Sequence, residues 1–251
     1  MAGHSKWANI KHRKGRQDAK RSKIWSKCSR AIIVAAKNGG SGDPAMNLAL
    51  RYAIEEAKAQ NMPKDTIAKA IEKGTGGGDG VSYEEILYEG YGPAGVAVML
   101  EILTDNRNRT AAEIRKLFEK GGGNQGTTGS VAFNFERKGE VYIDKAHATE
   151  DQLMETALEA GAEDIEDDGE AWHIVCDPSD FIAVKEAVEE AGIEIASAGV
   201  NQIAINTVAC TGKDVEKVMR MIEAFEDNDD VQKVHANFDI SDEEMAKLDA
   251  E

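Results

Sequence analysis

The sequence predicts an α+β protein, with an N-terminal helical bundle followed by two α+β domains related to the ferredoxin-like fold, one inserted in the other. Three observations predict it. Apolar residues recur at helical spacing up to about residue 74. A glycine-rich run, Thr75 to Gly80 (TGGGDG), then interrupts the chain where charge balance and periodicity both change. Beyond it, short alternating runs mix with helix-length segments. Between 139 and 207 they read strand, helix, strand, strand, helix, strand, the ferredoxin-like order.

The first helix spans about 17–37, with Ile24, Cys28, Ala31, Ile32 and Ala35 on one stripe, and stops at Asn38-Gly39-Gly40. Asp43 is placed to cap a second helix with Pro44 at its first position, and Met46, Ala49, Leu50, Ala53 and Ala57 give it an apolar face. A third starts near Met62-Pro63, turns Ile67, Ala70 and Ile71 inward and ends at Gly74. Residues 86–89 and 96–103 read as strands. Thr110 with Glu113 three residues on reads as a capping box, and Ile114, Leu117 and Phe118 form the inner face of that helix. Val131, Phe133 and Phe135 alternate as a strand, continued by Val141 and Ile143. Thr149 and Gln152 form a second capping box. Strands at 164–167 and 172–176 follow, then a helix from Pro178 with Phe181, Val184 and Val188 inward. A strand near 202–207, a helix carrying Val215, Val218, Met219, Ile222 and Phe225, and a strand over 234–240 complete the chain. The expected division is a basic helical domain at 1–75, an interrupted α+β domain at 81–135 plus 208–240, and an inserted ferredoxin-like domain at 136–207.

Hydrophobic residues make up 41% and charged residues 30% of the 251, which places the chain among soluble globular proteins. The apolar run 31–36 is too short to span a bilayer. Cys28, Cys176 and Cys210 are far apart and odd in number, as expected of free thiols in a reducing cytoplasm.

Charge is segregated. The first 37 residues hold eleven Lys or Arg and one acid, a balance of +10, while the other 214 hold nineteen bases and forty-five acids, a balance of −26. A basic element on an acidic body is expected to dock on a polyanion. Arg16, Lys20, Lys23, Lys27 and Arg30 step by four and three. On a helix they fall within roughly 80° of arc over about 21 Å, beside the apolar stripe. The expectation is that one face holds the protein body while the neighbouring face presents free positive charge. Ahead of the helix, Lys11, Arg13, Lys14 and Arg16 crowd together with Lys6, His4 and His12, and Trp7 and Trp25 flank the cluster. A Trp among bases suits stacking on an exposed nucleobase.

Other motifs are weaker. Gly90 to Gly95 matches GxGxxG, but a strand follows where a dinucleotide site needs a helix, so a hairpin is expected. The segment 105–110 (DNRNRT) joins a strand to a helix. Asp, Asn and Thr suit a turn and cap, while Arg107 and Arg109 suit either phosphate contacts or a local ion pair. The run 121–130 is small and polar; it suits a connecting loop or one that brings backbone N–H groups to a ligand. His173, mid-strand beside Trp172, suits a hydrogen-bonded structural role. The histidines lack metal-ligand spacing, and no nucleophile, base and orienter come together in the sequence. No metal, cofactor, small-molecule substrate or catalysis is expected.

The opening MAGHSKWANIKHRK (1–14), Glu89-Gly90-Tyr91-Gly92-Pro93, the segment Asp105 to Thr110 and Gly129-Ser130-Val131-Ala132 together resemble the YebC/PmpR proteins. Gln125 stands where that family usually has leucine. The resemblance implies a three-domain protein without enzymatic activity. It also implies a probable transcriptional regulator that binds DNA, or, as in relatives, a translational activator or ribosome-bound factor relieving stalls at proline-rich stretches. The residues expected to contact nucleic acid are Lys6, Trp7, Lys11, His12, Arg13, Lys14, Arg16, Lys20, Arg21, Lys23, Lys27, Arg30, Arg107 and Arg109. Lys and Arg hold phosphates without reading bases, so backbone recognition is expected, on DNA or on structured ribosomal RNA.

Overall fold

The computed structural model describes residues 18–76, 83–241 and 243–244. Helix α1 (Asp18–Asn38) buries Cys28, Ile32 and Ala36 against Leu50, Ile54 and Ala57 of α2 (Leu48–Ala59) and Ile67 and Ala70 of α3 (Lys64–Thr75). The stripe is rotated slightly from expectation. Ile24 is exposed and Trp25 packs instead, its Nε1 donating to the Gln60 carbonyl at 3.0 Å. The larger indole fills the end of the bundle, so Trp25 is a packing residue rather than a free stacking platform. The start of α2 also differs. Asp43 Oδ1 closes a local turn on the Ala45 N–H, and Asn47 is the cap, accepting from Leu50 N at 3.1 Å. Asn47 Nδ2 donates to the Ala35 and Ser41 carbonyls as well, which ties the new helix to the end of α1 and outcompetes the Asp-Pro signal. Met46 is left 80% exposed. A Cβ at Gly74 would lie 2.6 Å from the Ile33 carbonyl, so the approach of α3 to α1 requires glycine there.

Strands β1 (Glu84–Tyr91) and β2 (Ala97–Thr104) form an antiparallel hairpin whose turn puts Ala94 and Gly95 at φ 57° and 78°. The GxGxxG string is therefore a hairpin, as expected. Helix α4 (Arg107–Lys120) starts before Thr110: Asn106 is its cap, accepting from Arg109 N. β3 (Asn124–Gln125) pairs with β1. Where a strand was expected at 131–135, a 3-10 turn at Ala132–Asn134 leaves Phe133 74% exposed.

Residues Glu136–Ile203 form a compact unit of their own. It is built from β4 (Phe135–Asp144), α5 (Glu150–Leu153, continued by a π turn to Leu158), β5 (Ala162–Asp168), β6 (Ala171–Cys176), α6 (Phe181–Glu190) and β7 (Ser197–Ala204). The Thr149–Gln152 capping box is present. The strand order β5-β6-β4-β7 puts the first and third strands of the unit at the centre, the ferredoxin-like arrangement.

The chain then returns through β8 (Val208–Cys210), α7 (Lys213–Glu226), β9 (Val231–Ala236) and β10 (Phe238–Ile240). β9 completes a sheet of order β3-β1-β2-β9, and β8 and β10 pair in parallel. The single strand expected over 234–240 is broken at Asn237, whose Oδ1 accepts from Ala97 N at 2.7 Å and whose Nδ2 donates to the Asn206 carbonyl. Helices α4 and α7 cover the sheet, with Phe118 and Phe225 rings 4.7 Å apart. All five apolar residues expected to face inward on α7 are buried.

In the Glu136–Ile203 unit, His173 carries a buried network. Its Nε2 lies 2.9 Å from Glu140 and its Nδ1 3.4 Å from Glu166, with Tyr142 stacked at 4.4 Å. Asn201 Nδ2 donates to the other Glu140 oxygen. Burial opposes both charges, yet the Glu140 and Glu166 carboxylates hold the His173 pKa above its ordinary 6.5, and His173 and Asn201 hold Glu140 below its ordinary 4.5. A raised histidine stabilises fully below 6.5 and loses that contribution as pH rises through its folded pKa; a depressed carboxyl does so above 4.5 and loses it as pH falls. This unit is therefore expected to be most stable under mildly acidic conditions. Glu140→Ala, which strands the imidazolium, is expected to cost about 3–5 kcal/mol, read from hydrogen exchange of β4 and β6 amides across pH.

Candidate nucleic-acid interface

Lys6, Trp7, Lys11, His12, Arg13, Lys14 and Arg16 lie outside the described residues. The backbone places Lys20 and Arg21 in the first turn of α1. Lys23, Lys27 and Arg30 follow on the same stripe, and the expectation that they stand free is corrected here. All three reach the end of α7 and the acidic loop behind it. Lys23 Nζ donates to the Asp227 carbonyl and pairs with the Asp229 carboxylate at 3.2 Å. Lys27 Nζ donates to the Glu226 carbonyl at 2.7 Å. Arg30 Nη1 donates to the Asp229 carbonyl at 2.8 Å and to Asp230 Oδ1 at 3.2 Å. The reason is electrostatic. The last carbonyls of a helix carry partial negative charge, and Glu226, Asp227, Asp229 and Asp230 add four carboxylates in five residues.

Asp230 is the centre of the arrangement. Its Oδ2 accepts from Arg109 Nη2 at 2.7 Å, from Thr110 Oγ1 at 2.7 Å and from Thr104 Oγ1 at 3.3 Å, while Oδ1 takes Arg30. Burial alone would raise this carboxyl; the Arg109 and Thr110 hydrogen bonds and the Arg109 and Arg30 charges hold it below the usual range. Arg109 also pairs with Asp105 at 2.9 Å, so of its two readings the local ion pair is the one observed, and its guanidinium is held well above its ordinary value. Thr110, read from the sequence as a cap, is instead an Asp230 ligand. Arg107 remains exposed at the start of α4. Arg30, Arg109, Tyr83, Asp105, Glu113 and the 227–230 loop line an open polar cleft. The sequence signal for this contact is a run of acids, Asp227 to Asp230, directly after a helix, in a chain whose bases cluster on another helix.

The other candidate loop is spent internally. Buried Glu89 accepts from Gly129 N at 2.7 Å, Val131 N at 2.7 Å and Ala132 N at 2.9 Å, so these N–H groups face a carboxylate of the chain itself. The same three bonds bend the chain into the 3-10 turn that displaces Phe133. The cysteines are free and buried, with Cys28 pushed up to about 12 by burial, which keeps it an unreactive thiol. Among the described residues no group of His, Cys, Asp or Glu is placed to hold a metal ion, and no helix is long and apolar enough to cross a membrane.

Residues 5–77 match the family model described as the TACO1/YebC protein N-terminal domain, and residues 83–238 match that of the TACO1/YebC second and third domain. This chain belongs to the TACO1/YebC family. A Rubrobacter xylanophilus protein named "probable transcriptional regulatory protein" is 54% identical over 249 residues, 99% of each chain. A Dictyoglomus thermophilum protein of the same name is also 54% identical, across 99% of this chain and 100% of its own. The crystal structure of a conserved hypothetical protein from Aquifex aeolicus superposes with a TM-score of 0.79 at 44% identity, covering 90% of this chain and 93% of that one. The two named relatives thus match this chain over 99% of its length.

Asp230→Ala is expected to destabilise the protein by about 3 kcal/mol, because Arg30, Arg109 and two buried hydroxyls each lose one acceptor and the two guanidinium groups lose the carboxylate between them. Lys23→Gln, at a largely exposed pair, is expected to change stability by at most about 0.5 kcal/mol. Urea unfolding distinguishes the two. Burial, reinforced by Lys23 and Arg30 and opposed by Glu226 and Asp229, pulls Lys27 down to about 8 from its ordinary 10.5. Between those values the unfolded chain binds more protons, so stability is expected to rise with pH from about 8 to 10.5 and the slope to vanish in Lys27→Met.

Proposed function

We propose that this TACO1/YebC protein is a non-enzymatic regulator of gene expression that binds nucleic acid, with duplex DNA as the leading target. The observation that carries the reading is the charge segregation: +10 in the first 37 residues against −26 in the rest. Lys6, Lys11, Arg13, Lys14, Arg16, Lys20 and Arg21 are the proposed phosphate contacts, with His12 adding charge and Trp7 stacking. Lys23, Lys27 and Arg30 extend the stripe, and Arg107 is an outlying contact. Arg109 enters as a residue that positions Asp230. The relatives' names support a regulatory role in transcription. Three free, buried cysteines suit a reducing cytoplasm.

A second reading, on ribosomal RNA as a translation factor, is favoured by one feature. The basic element is almost all Lys and Arg, which grip backbone and shape rather than base edges.

If about six phosphates are neutralised, the logarithm of affinity for a mixed-sequence duplex should fall against the logarithm of salt with a slope of about −4 to −5. The quadruple variant Lys11→Gln, Arg13→Gln, Lys14→Gln, Arg16→Gln should flatten the slope by about 3. A slope that does not change removes the arm from the account. Crosslinking in cells, with sequencing of the recovered DNA and RNA, decides between the two targets.

A further inference from the structure

The acidic loop behind α7 occupies the groups that a nucleic acid would use. Lys23, Lys27 and Arg30 span about 10 Å along α1. They meet a row of oxygens from one short segment: the carbonyls of Glu226, Asp227 and Asp229 and the carboxylates of Asp229 and Asp230. To α1 this segment resembles a stretch of phosphate backbone. The grip is graded. At the Lys23 end the side chains are 37% and 69% exposed; at the Arg30 end they are 20% and 9% exposed. An exposed pair holds weakly and is screened by salt, whereas a buried one is costly to break. Lys27 lies between, an ammonium that burial makes easier to deprotonate, so that leaving for a hydrated phosphate restores solvation. The weak end adjoins Lys20 and Arg21, where the chain's bases continue toward the N-terminus.

We propose that the 226–230 loop is a built-in competitor for nucleic acid: Lys23 and then Lys27 leave it for phosphates when a polynucleotide docks on α1, while Arg30 stays on Asp230 as the pivot. The inference rests on the nucleic-acid reading above. Its consequence is selectivity. A short or poorly placed polyanion touches only the leading bases, and only one that follows α1 displaces the loop.

The test uses the full chain. Zero-length carbodiimide coupling joins an amine to a carboxylate already in contact, and mass spectrometry locates the Lys23–Asp229 product. It is expected in the free protein and is expected to fall at least about fivefold when the protein is saturated with a mixed-sequence DNA duplex. In a second arm, Asp227→Asn with Asp229→Asn should tighten duplex binding about tenfold, while Glu216→Gln with Glu223→Gln, the same charge change on α7 rather than in the loop behind it, should do so by no more than about twofold. A structured RNA hairpin run in parallel identifies which backbone releases the loop. A crosslink that persists in the complexes with both polymers overturns the competitor and leaves nucleic-acid binding standing, as does equal tightening by both double variants. Absence of binding to both polymers overturns the two together.

Discussion

The Asp230 carboxylate is the constraint on which the larger of the two compact units, formed by the described residues up to Phe135 and from Ala204 on, depends. It accepts from Thr104 at the end of β2, from Arg109 and Thr110 in the first turn of α4, and from Arg30 on α1. Its own carbonyl takes the Leu103 N–H at 2.9 Å. One side chain thus fixes where a sheet strand ends, where a helix begins and where the basic helix lies. The apolar cluster of the bundle closes among residues 28–70. Other links between bundle and sheet are polar too: Asn38 donates to Glu85 at 2.9 Å, and Lys233 lies 3.5 Å from Glu56. Charges and hydrogen bonds at such a junction respond to ionic strength in a way that apolar contacts do not.

That chemistry gives the charge segregation a second meaning. A basic helix on an acidic body can be a mere consequence of solubility, or it can be a pair of partners. Here the last carbonyl of α7 and the acidic loop behind it meet three of the bases, Lys23, Lys27 and Arg30, and Asp230 takes Arg109 as well. The body does more than repel polyanions at a distance; it satisfies part of the helix that would bind them. The proposed nucleic-acid contacts and the fold therefore draw on the same side chains, and a substitution made to probe one disturbs the other.

The fold class was legible because helical and alternating periodicities are local. The α7 stripe, the Thr149 capping box and the β1–β2 hairpin follow from neighbours in sequence. Misreadings occurred where a distant partner outbid a local signal. Asn47 took the cap from Asp43 because it could also reach Ala35 and Ser41. Thr110 lost its expected role because Asp230, 120 residues away, needed a donor. Phe133 left the strand because Glu89 drew in the backbone on either side of Ser130. The basic stripe was legible as a stripe. What it faced was not, because helix periodicity gives direction around an axis and says nothing of what stands opposite.

The crossing where the chain leaves for β4 and returns from β7 has its own significance. Ile205 N donates to the Asn134 carbonyl at 2.9 Å, Asn134 Nδ2 to the Asn206 carbonyl, and Asn206 Nδ2 to Asn134 Oδ1. Outgoing and incoming strands are thus stapled side by side by two asparagines, within the larger unit itself. Evolution can lengthen, trim or exchange whatever hangs beyond that staple, since the remainder closes its own ring at almost no extra entropy. A lineage could refit this protein for a different neighbour without touching the basic helix.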